Sequence, residues 1–327
     1  MGERIQVLIH GVAASEEVPG LAALGDIARF RCARTLDELR AALPGAAVLL
    51  GWDFRAGDLE QAWDVASDLR WIHWGGAGVD ALLFPRLVDS DVVVTNARGV
   101  FDRAIAEYVL GAILAFAKDL PATLQLQRER RWQHRDTERI DGRHVAIVGA
   151  GSIGTEIGRL CAAAGMRVSG VARRERDGDP VFGAVRAAEA LPQILATADY
   201  AVIAAPLTPH TEGLFDRAML RHLPPWARLI NVGRGPIVVT ADLVAALRAK
   251  QLAGAALDVF DTEPLPADHP LWAMDNVIVS AHMAGDFVGW REQLSRQFLD
   301  NFDRWRAGQP LHNVVDKRRV HAAGGRP

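Results

Sequence analysis

Three glycines, spaced as Gly149-Ala150-Gly151-Ser152-Ile153-Gly154, have the types and spacing that could hold a phosphorylated ligand. The run His144–Val148 before them consists of strand formers. After them Ile153, Ile157, Leu160, Cys161 and Ala164 recur at helical spacing, and the pattern stops at Gly165. A buried strand, a glycine turn and a helix form the context in which a dinucleotide binds. Gly149 permits the tight turn, Gly151 lets the backbone approach a pyrophosphate, and Gly154 lets helix and strand pack closely. Ser152 and Ile153 open the helix, where unpaired N–H groups and the positive end of the dipole favour a phosphate. A second cluster, Gly75-Gly76-Ala77-Gly78-Val79-Asp80, follows another strand-like run. It could present bare N–H groups to an anion, with a mobile turn as the plainer alternative.

The elements that must carry these loops alternate along the chain. Up to about Asn96 the apolar runs Arg4–His10, Ala28–Cys32, Ala47–Leu50, Trp71–Trp74 and Val92–Asn96 are separated by helical patterns such as Thr35–Leu43 and Leu59–Ser67. Such alternation predicts a parallel sheet with helices on both faces. Ligands of these sheets lie beyond the carboxyl ends of the strands, which adds the loop Gly51-Trp52-Asp53-Phe54 to the candidates. Gly99–Leu120 predicts a long helix ended by Pro121, and the charged Arg128–Arg143 a solvated connection. Further strands are expected at Arg167–Ala172, Tyr200–Ala205, Leu229–Val232, Gly254–Val259 and Val277–Ser280, completing a doubly wound nucleotide domain. Phe287–Trp305 predicts a last helix, ended by Gly308 and Pro310. Leu311–Val315 is expected to pack back on the first unit, and His321–Pro327 to be disordered.

Bulk properties narrow the classes. A chain of 327 residues has room for two domains, each with its own core. A net charge of −3 gives no general attraction to nucleic acid or an anionic membrane. Cys32 and Cys161 are far apart and lack metal-ligand spacing, so neither a structural disulfide nor a metal site is expected. The amino terminus reads as a first strand rather than a signal peptide, and no apolar run reaches the length of a membrane span. These features fit a cytoplasmic enzyme or binding protein.

Several further motifs follow in order. They are Gly76-Ala77-Gly78-Val79-Asp80, Ala106-Glu107, the glycine fingerprint, Ala205-Pro206-Leu207-Thr208, Asn231-Val232-Gly233-Arg234-Gly235, Leu257-Asp258-Val259-Phe260-Asp261-Thr262-Glu263-Pro264 and Ser280-Ala281-His282-Met283-Ala284-Gly285. Together they resemble the D-isomer-specific 2-hydroxyacid dehydrogenase family across nearly the whole chain. The resemblance implies an α/β protein of two doubly wound parallel-sheet domains. A Rossmann nucleotide domain (99–286) would be inserted into a flavodoxin-like substrate domain (1–98 plus 287–327). It also implies a homodimer through the nucleotide domain, to which Arg128–Arg143 contributes.

By the same resemblance Arg234 would bind the substrate carboxylate or carbonyl, its planar fork suiting paired hydrogen bonds. The backbone N–H groups of Gly76, Ala77 and Gly78 would reinforce it. His282 would be the general acid, since imidazole titrates near working pH, with Glu263 orienting it and favouring its protonated form. Asp258 would contact the nicotinamide carboxamide, and Pro206 and Val232 would lie along the cofactor. The other histidines, His73, His210 and His269 among them, read as structural. Trp52 is a candidate for the substrate mouth, with packing as its alternative; pocket size depends on how Trp52, Phe54, Trp74 and Trp290 fold together.

Two departures stand out. Ala281 occupies the place before the general acid where the family commonly has proline, which would loosen that loop. The slot about 20 residues beyond the first glycine, where NAD enzymes carry a carboxylate for the ribose 2′-hydroxyl, holds Ala172 followed by Arg173 and Arg174. A carboxylate would repel a 2′-phosphate and the arginines would attract it, so NADP(H) is expected in preference to NAD(H), unless Glu175 or Asp177 contacts the ribose. The expected activity is NAD(P)H-dependent reduction of a small 2-oxo acid, glyoxylate or hydroxypyruvate, to the D-2-hydroxy acid. The alternatives are a dinucleotide-sensing regulator of the same fold and a phosphite-type dehydrogenase. A formate enzyme would carry glutamine where Glu263 stands.

Overall fold

The computed structural model describes residues 4–53, 57–318 and 320. Phe54 and the tail 321–327, which figure among the expectations above, lie outside the described residues. The chain divides into two compact units, Met1–Phe101 with Phe287–Pro327, and Asp102–Asp286.

In the first unit β1 (Ile5–His10), β2 (Ala28–Ala33), β3 (Val48–Gly51), β4 (Trp71–Trp74) and β5 (Val93–Asn96) pair in the order β2-β1-β3-β4-β5, all parallel. This is the flavodoxin-like order, with its switch point between β1 and β3. Strands β3 and β4 are buried at every position, as strands covered on both faces must be. Thr35 and Glu38 form a capping box at the start of the helix Leu36–Ala42. Trp71 is fully buried and stacks on Phe298 of the helix Trp290–Arg306, ring centroids 5.4 Å apart. The segment after that helix returns to the sheet edge: Val314 bridges Thr95, and the Val315 N–H donates to the Val94 carbonyl.

The second unit holds β6 (His144–Val148), β7 (Arg167–Val171), β8 (Arg176–Asp179), β9 (Gly183–Arg186), β10 (Tyr200–Ile203), β11 (Arg228–Asn231), β12 (Gly254–Leu257) and β13 (Val277–Val279). Their order is β13-β12-β11-β10-β6-β7-β9-β8, parallel throughout except for the β8–β9 pair. The succession running outward from β6 on both sides is that of dinucleotide-binding sheets. Both units are thus the doubly wound α/β folds expected from the sequence. Among the described residues no single helix is long and apolar enough to cross a membrane.

Three local expectations are corrected. Leu59–Ser67 is not an α-helix but carries two 3₁₀ turns, Asp58–Glu60 and Trp63–Val65; its apolar spacing serves these turns, which bury Leu59, Ala62 and Ala66 without a continuous helix. Pro121 does not end the long helix. That helix spans Asp102–Ala117, the chain turns at Asp119 (φ 49°), and Pro121 sits in the first turn of a second helix, Leu120–Arg128, where a missing N–H costs nothing. The last long helix starts at Trp290 rather than Phe287, because Gly289 (φ 93°) takes a left-handed cap. The charged stretch after Arg128 is exposed, as a solvated connection should be, and is also anchored. Arg228 grips the Glu138 carboxylate at 2.8 and 3.3 Å, and Arg135 pairs with Asp119 at 3.0 Å.

His73 in β4 is completely buried, with Nδ1 2.8 Å from Thr95 Oγ1. Burial pulls its ring down to about 3. The unfolded ring takes a proton below its ordinary value while the native ring does not, so stability is lost as pH falls from about 6.5 toward 3. Between pH 7 and pH 5 this one group should cost roughly 2 kcal/mol. Denaturant unfolding of the first unit at the two pH values should show that loss shrinking in His73→Asn, and equal losses in both proteins would contradict the assignment.

Candidate active site

The loops at the carboxyl edge of the second sheet carry the fingerprint. Gly149 turns the chain at φ 105°, and a Cβ there would lie 2.4 Å from the Ala205 nitrogen in the loop after β10. Gly154 packs on the Gly149 carbonyl, which a Cβ would approach to 2.0 Å. Gly151, by contrast, caps the helix Ser152–Ala163, and a Cβ on it would meet nothing within 4 Å. The space over the first amides of that helix is therefore clear, and it suits a pyrophosphate. Pro206 and Val232 follow β10 and β11 on the same edge of the sheet.

Three adjacent strands carry the polar residues. Arg234 follows β11, Asp258 and Glu263 follow β12, and His282 follows β13; register places Asn231 beside Leu257 and Leu257 beside Val279. Asn231 shapes the first loop, accepting from the Gly233 N–H at 3.0 Å and donating to the Arg234 carbonyl at 3.0 Å. The Arg234 loop abuts the next one so closely that a Cβ on Gly235 would stand 1.9 Å from the Phe260 carbonyl carbon. Glu263 divides its oxygens: one accepts the Phe260 N–H at 3.0 Å, and the other lies 2.7 Å from His282 Nδ1. Both side chains are partly exposed, 31% for Glu263 and 25% for His282. The arrangement gives an imidazole whose Nδ1 is committed to a carboxylate, which directs Nε2 to any reacting partner.

His282 has φ 51°, a left-handed conformation that costs a residue with a β-carbon about 1–2 kcal/mol. Asp258, only 2% exposed, accounts for it. Its carbonyl accepts the His282 N–H at 2.8 Å, and its carboxylate accepts the N–H groups of Met283 and Ala284 at 2.9 Å each. Ser280 donates to the same carboxylate at 2.5 Å and lies 2.6 Å from the Tyr108 hydroxyl.

At the other end of the fingerprint, Ala172 directly follows β7, and Arg173 and Arg174 are exposed in the bend beyond it. The carboxylates considered as their rivals have partners elsewhere. Glu175 accepts the Ala187 N–H at 3.3 Å, and Asp177 pairs with Arg186 at 3.3 Å. Arg176 bridges Asp179 at 2.8 Å and the Ala150 carbonyl inside the glycine loop at 3.0 Å.

In the first unit the loop after β4 is shaped by Asn96, which donates to the Ala77 carbonyl at 2.6 Å, while the Gly76 carbonyl accepts from Ala97. Among the described residues the N–H groups of Gly76, Ala77 and Gly78 donate to no acceptor, as a nest for an anion requires. Trp52 is 8% exposed and stacks on Trp290 at 6.3 Å, so packing accounts for most of its surface. His269 caps a 3₁₀ turn by accepting the Leu271 N–H, as its structural reading expects, and His210 is exposed.

Comparison with known proteins identifies the class. A profile for the NAD binding domain of the D-isomer specific 2-hydroxyacid dehydrogenases matches residues 110–284. The chain is 32% identical over 247 residues to a glyoxylate/hydroxypyruvate reductase A of Serratia proteamaculans, covering 74% of this chain and 78% of that one. Among solved structures, a D-isomer specific 2-hydroxyacid dehydrogenase of Xanthobacter autotrophicus Py2 in complex with NADPH and MES superposes with TM-score 0.80, at 33% identity over 97% of this chain and 99% of that one. An NADPH-dependent glyoxylate/hydroxypyruvate reductase of Sinorhizobium meliloti, in complex with NADP and sulfate, superposes with TM-score 0.81 at 28% identity, over 98% of this chain and 100% of that one. This chain belongs to the D-isomer specific 2-hydroxyacid dehydrogenase family. It is an oxidoreductase fold with a nicotinamide dinucleotide domain.

Reading the sequence singled out Arg234, Glu263 and His282 but not Tyr108, Ser280 as a hydrogen-bond donor, or Asn231. Ser280 and Asn231 stand inside quoted motifs, which was their only signal. Tyr108 lies 172 positions from its partner, and nothing local announces it. The close approach at Gly235 is testable. Gly235→Ala should force the two loops apart at a cost of about 1–3 kcal/mol. Thermal unfolding should show a midpoint several degrees lower; an unchanged midpoint would mean the loops do not abut.

Proposed function

We propose that this protein reduces a small 2-oxo acid, of the size of glyoxylate or hydroxypyruvate, to the D-2-hydroxy acid, with NADPH as the preferred donor. The observation that carries the reading is the 2.7 Å pair of His282 and Glu263 on loops beside that of Arg234, over three adjacent strands. Arg234 holds the substrate carboxylate or carbonyl with its guanidinium fork. Protonated His282 donates one N–H to Glu263 and delivers the proton on Nε2 to the carbonyl oxygen. The chemistry that a nicotinamide bound there would supply is hydride donation to the carbonyl carbon. Gly149, Gly151, Ser152, Ile153 and Gly154 would hold the pyrophosphate, and Pro206, Val232 and Asp258 would lie along the dinucleotide. In the first unit the same proposal gives the amides of Gly76, Ala77 and Gly78 an anion-binding role, with Trp52 setting the shape of the neighbouring loop.

Preference for NADPH is supported by Arg173 and Arg174 beside Ala172, with Glu175 and Asp177 already engaged. The relatives of Xanthobacter and Sinorhizobium that carry NADPH or NADP point the same way. The proposal extends to a cytoplasmic homodimer. Trp132 is fully exposed, and Leu120 and Leu124 are exposed on the neighbouring helix, an apolar surface suited to a second copy of the chain.

A panel of 2-oxo acids assayed with NADPH and with NADH tests the activity through loss of nicotinamide absorbance. His282→Ala should lower turnover by about 10²–10⁴-fold while cofactor binding persists; retained turnover would remove His282 from the reaction. Arg173→Asp should raise KM for NADPH far more than for NADH, and equal changes would defeat the cofactor assignment. Trp132→Glu should convert a two-chain species to a one-chain species in sedimentation, and a wild-type protein that sediments as one chain would refute the dimer.

A further inference from the structure

We propose that Tyr108 and Ser280, acting through Asp258, are positioning residues that hold His282 in its working conformation. The inference rests on the reading of His282 as the proton donor. The order of donation follows from chemistry. A carboxylate only accepts, so the single Ser280 proton is the one given to Asp258 Oδ1. The Tyr108 O–H must then be the donor in its 2.6 Å contact with Ser280 Oγ. Burial, with the nearby Asp258 charge, pushes the Tyr108 phenol up and keeps it a donor. The chain therefore runs Tyr108 to Ser280 to Asp258, and Asp258 holds the backbone N–H groups of His282, Met283 and Ala284.

Strand pairing does not require this chain. Ladder contacts already fix β13 through Val279, which pairs with Leu257. What the chain fixes is the loop beyond the strand, where His282 adopts φ 51° and the preceding residue, Ala281, has no ring to restrict the backbone. Oδ1 of Asp258 takes two donors and Oδ2 one, so the carboxylate is gripped from both sides and cannot rotate without releasing a loop amide. Tyr108 belongs to the helix Asp102–Ala117, which ties the loop to a rigid element of the same unit. The left-handed turn at His282 is in this way referred to a fixed point, and the imidazole meets Glu263 in one orientation.

Tyr108→Phe, Ser280→Ala and Ser280→Thr, each made alone and in the His282→Ala background, test the proposal. Ser280→Ala should lower kcat roughly tenfold to a hundredfold, the scale of a misplaced catalytic group. KM for NADPH should stay within about twofold, Ser280→Thr should restore most of the turnover, and Tyr108→Phe should fall between. In the His282→Ala background none of the three should slow the protein further, because they act through the ring. A fall of the same factor in both backgrounds, or undiminished kcat in Ser280→Ala, would overturn the proposal. Hydrogen exchange at Met283 and Ala284 reads the grip independently of turnover: it should quicken in Ser280→Ala, and unchanged exchange would also overturn it. Should His282→Ala itself keep wild-type turnover, the proposed reaction fails, and the exchange rates still report whether the loop is held.

Discussion

Neighbouring loops at the carboxyl edge of the second sheet come closer than side chains permit, and the chemistry of that edge depends on it. The loop after β6 meets the one after β10 where Gly149 faces Ala204 and Ala205. The loop after β11 meets the one after β12 where Gly235 faces Phe260. A β-carbon at either place would sit well inside van der Waals contact, so both loops would have to move. Backbone therefore nests on backbone across the strands that bear the fingerprint, Arg234 and Glu263. Parallel strands supply the direction, since all of their carboxyl ends open on one edge.

Carboxylates then turn nested backbone into defined geometry. Glu263 uses one oxygen for the Phe260 amide and the other for His282, so the group that orients the imidazole is itself held by its own loop. Asp258 is nearly inaccessible to water, and burying a carboxylate without donors would be costly. Here the donors are a serine and two loop amides, so satisfying the charge and shaping the His282 turn are one event. Stability and site geometry are coupled at this residue.

A hairpin at the opposite edge shapes the other end of the dinucleotide domain. Phe182, in the turn between β8 and β9, packs on Gly158 and Gly170, whose added β-carbons would lie 2.8 and 2.9 Å from its ring. Asp179 accepts the amides of Val181 and Phe182 and binds Arg176, which reaches the Ala150 carbonyl. The bend holding Arg173 and Arg174 is therefore braced between the sheet and the glycine loop.

The strand, glycine turn and helix around Gly149 were legible in the sequence because their signals are local. Apolar period, turn glycines and helix start all fall within one short segment, and the other parallel strands apart from β9 announced themselves as short apolar runs. The hairpin Arg176–Arg186 was not legible, since its polar, glycine-containing strands bury little and show no alternation. Pro121 could either end one helix or begin the next, and only the left-handed turn at Asp119 decided it. Motif order alone pointed to Arg234, Glu263 and His282, whereas the link from Tyr108 to Ser280 exists only once a helix and a strand remote in sequence are packed together. The sequence by itself determined which elements form and which residue types stand at their ends, because propensity and periodicity act over a few residues. Tertiary structure decided which of those ends meet, because hydrogen bonds and close backbone contacts depend on distances that no local pattern encodes.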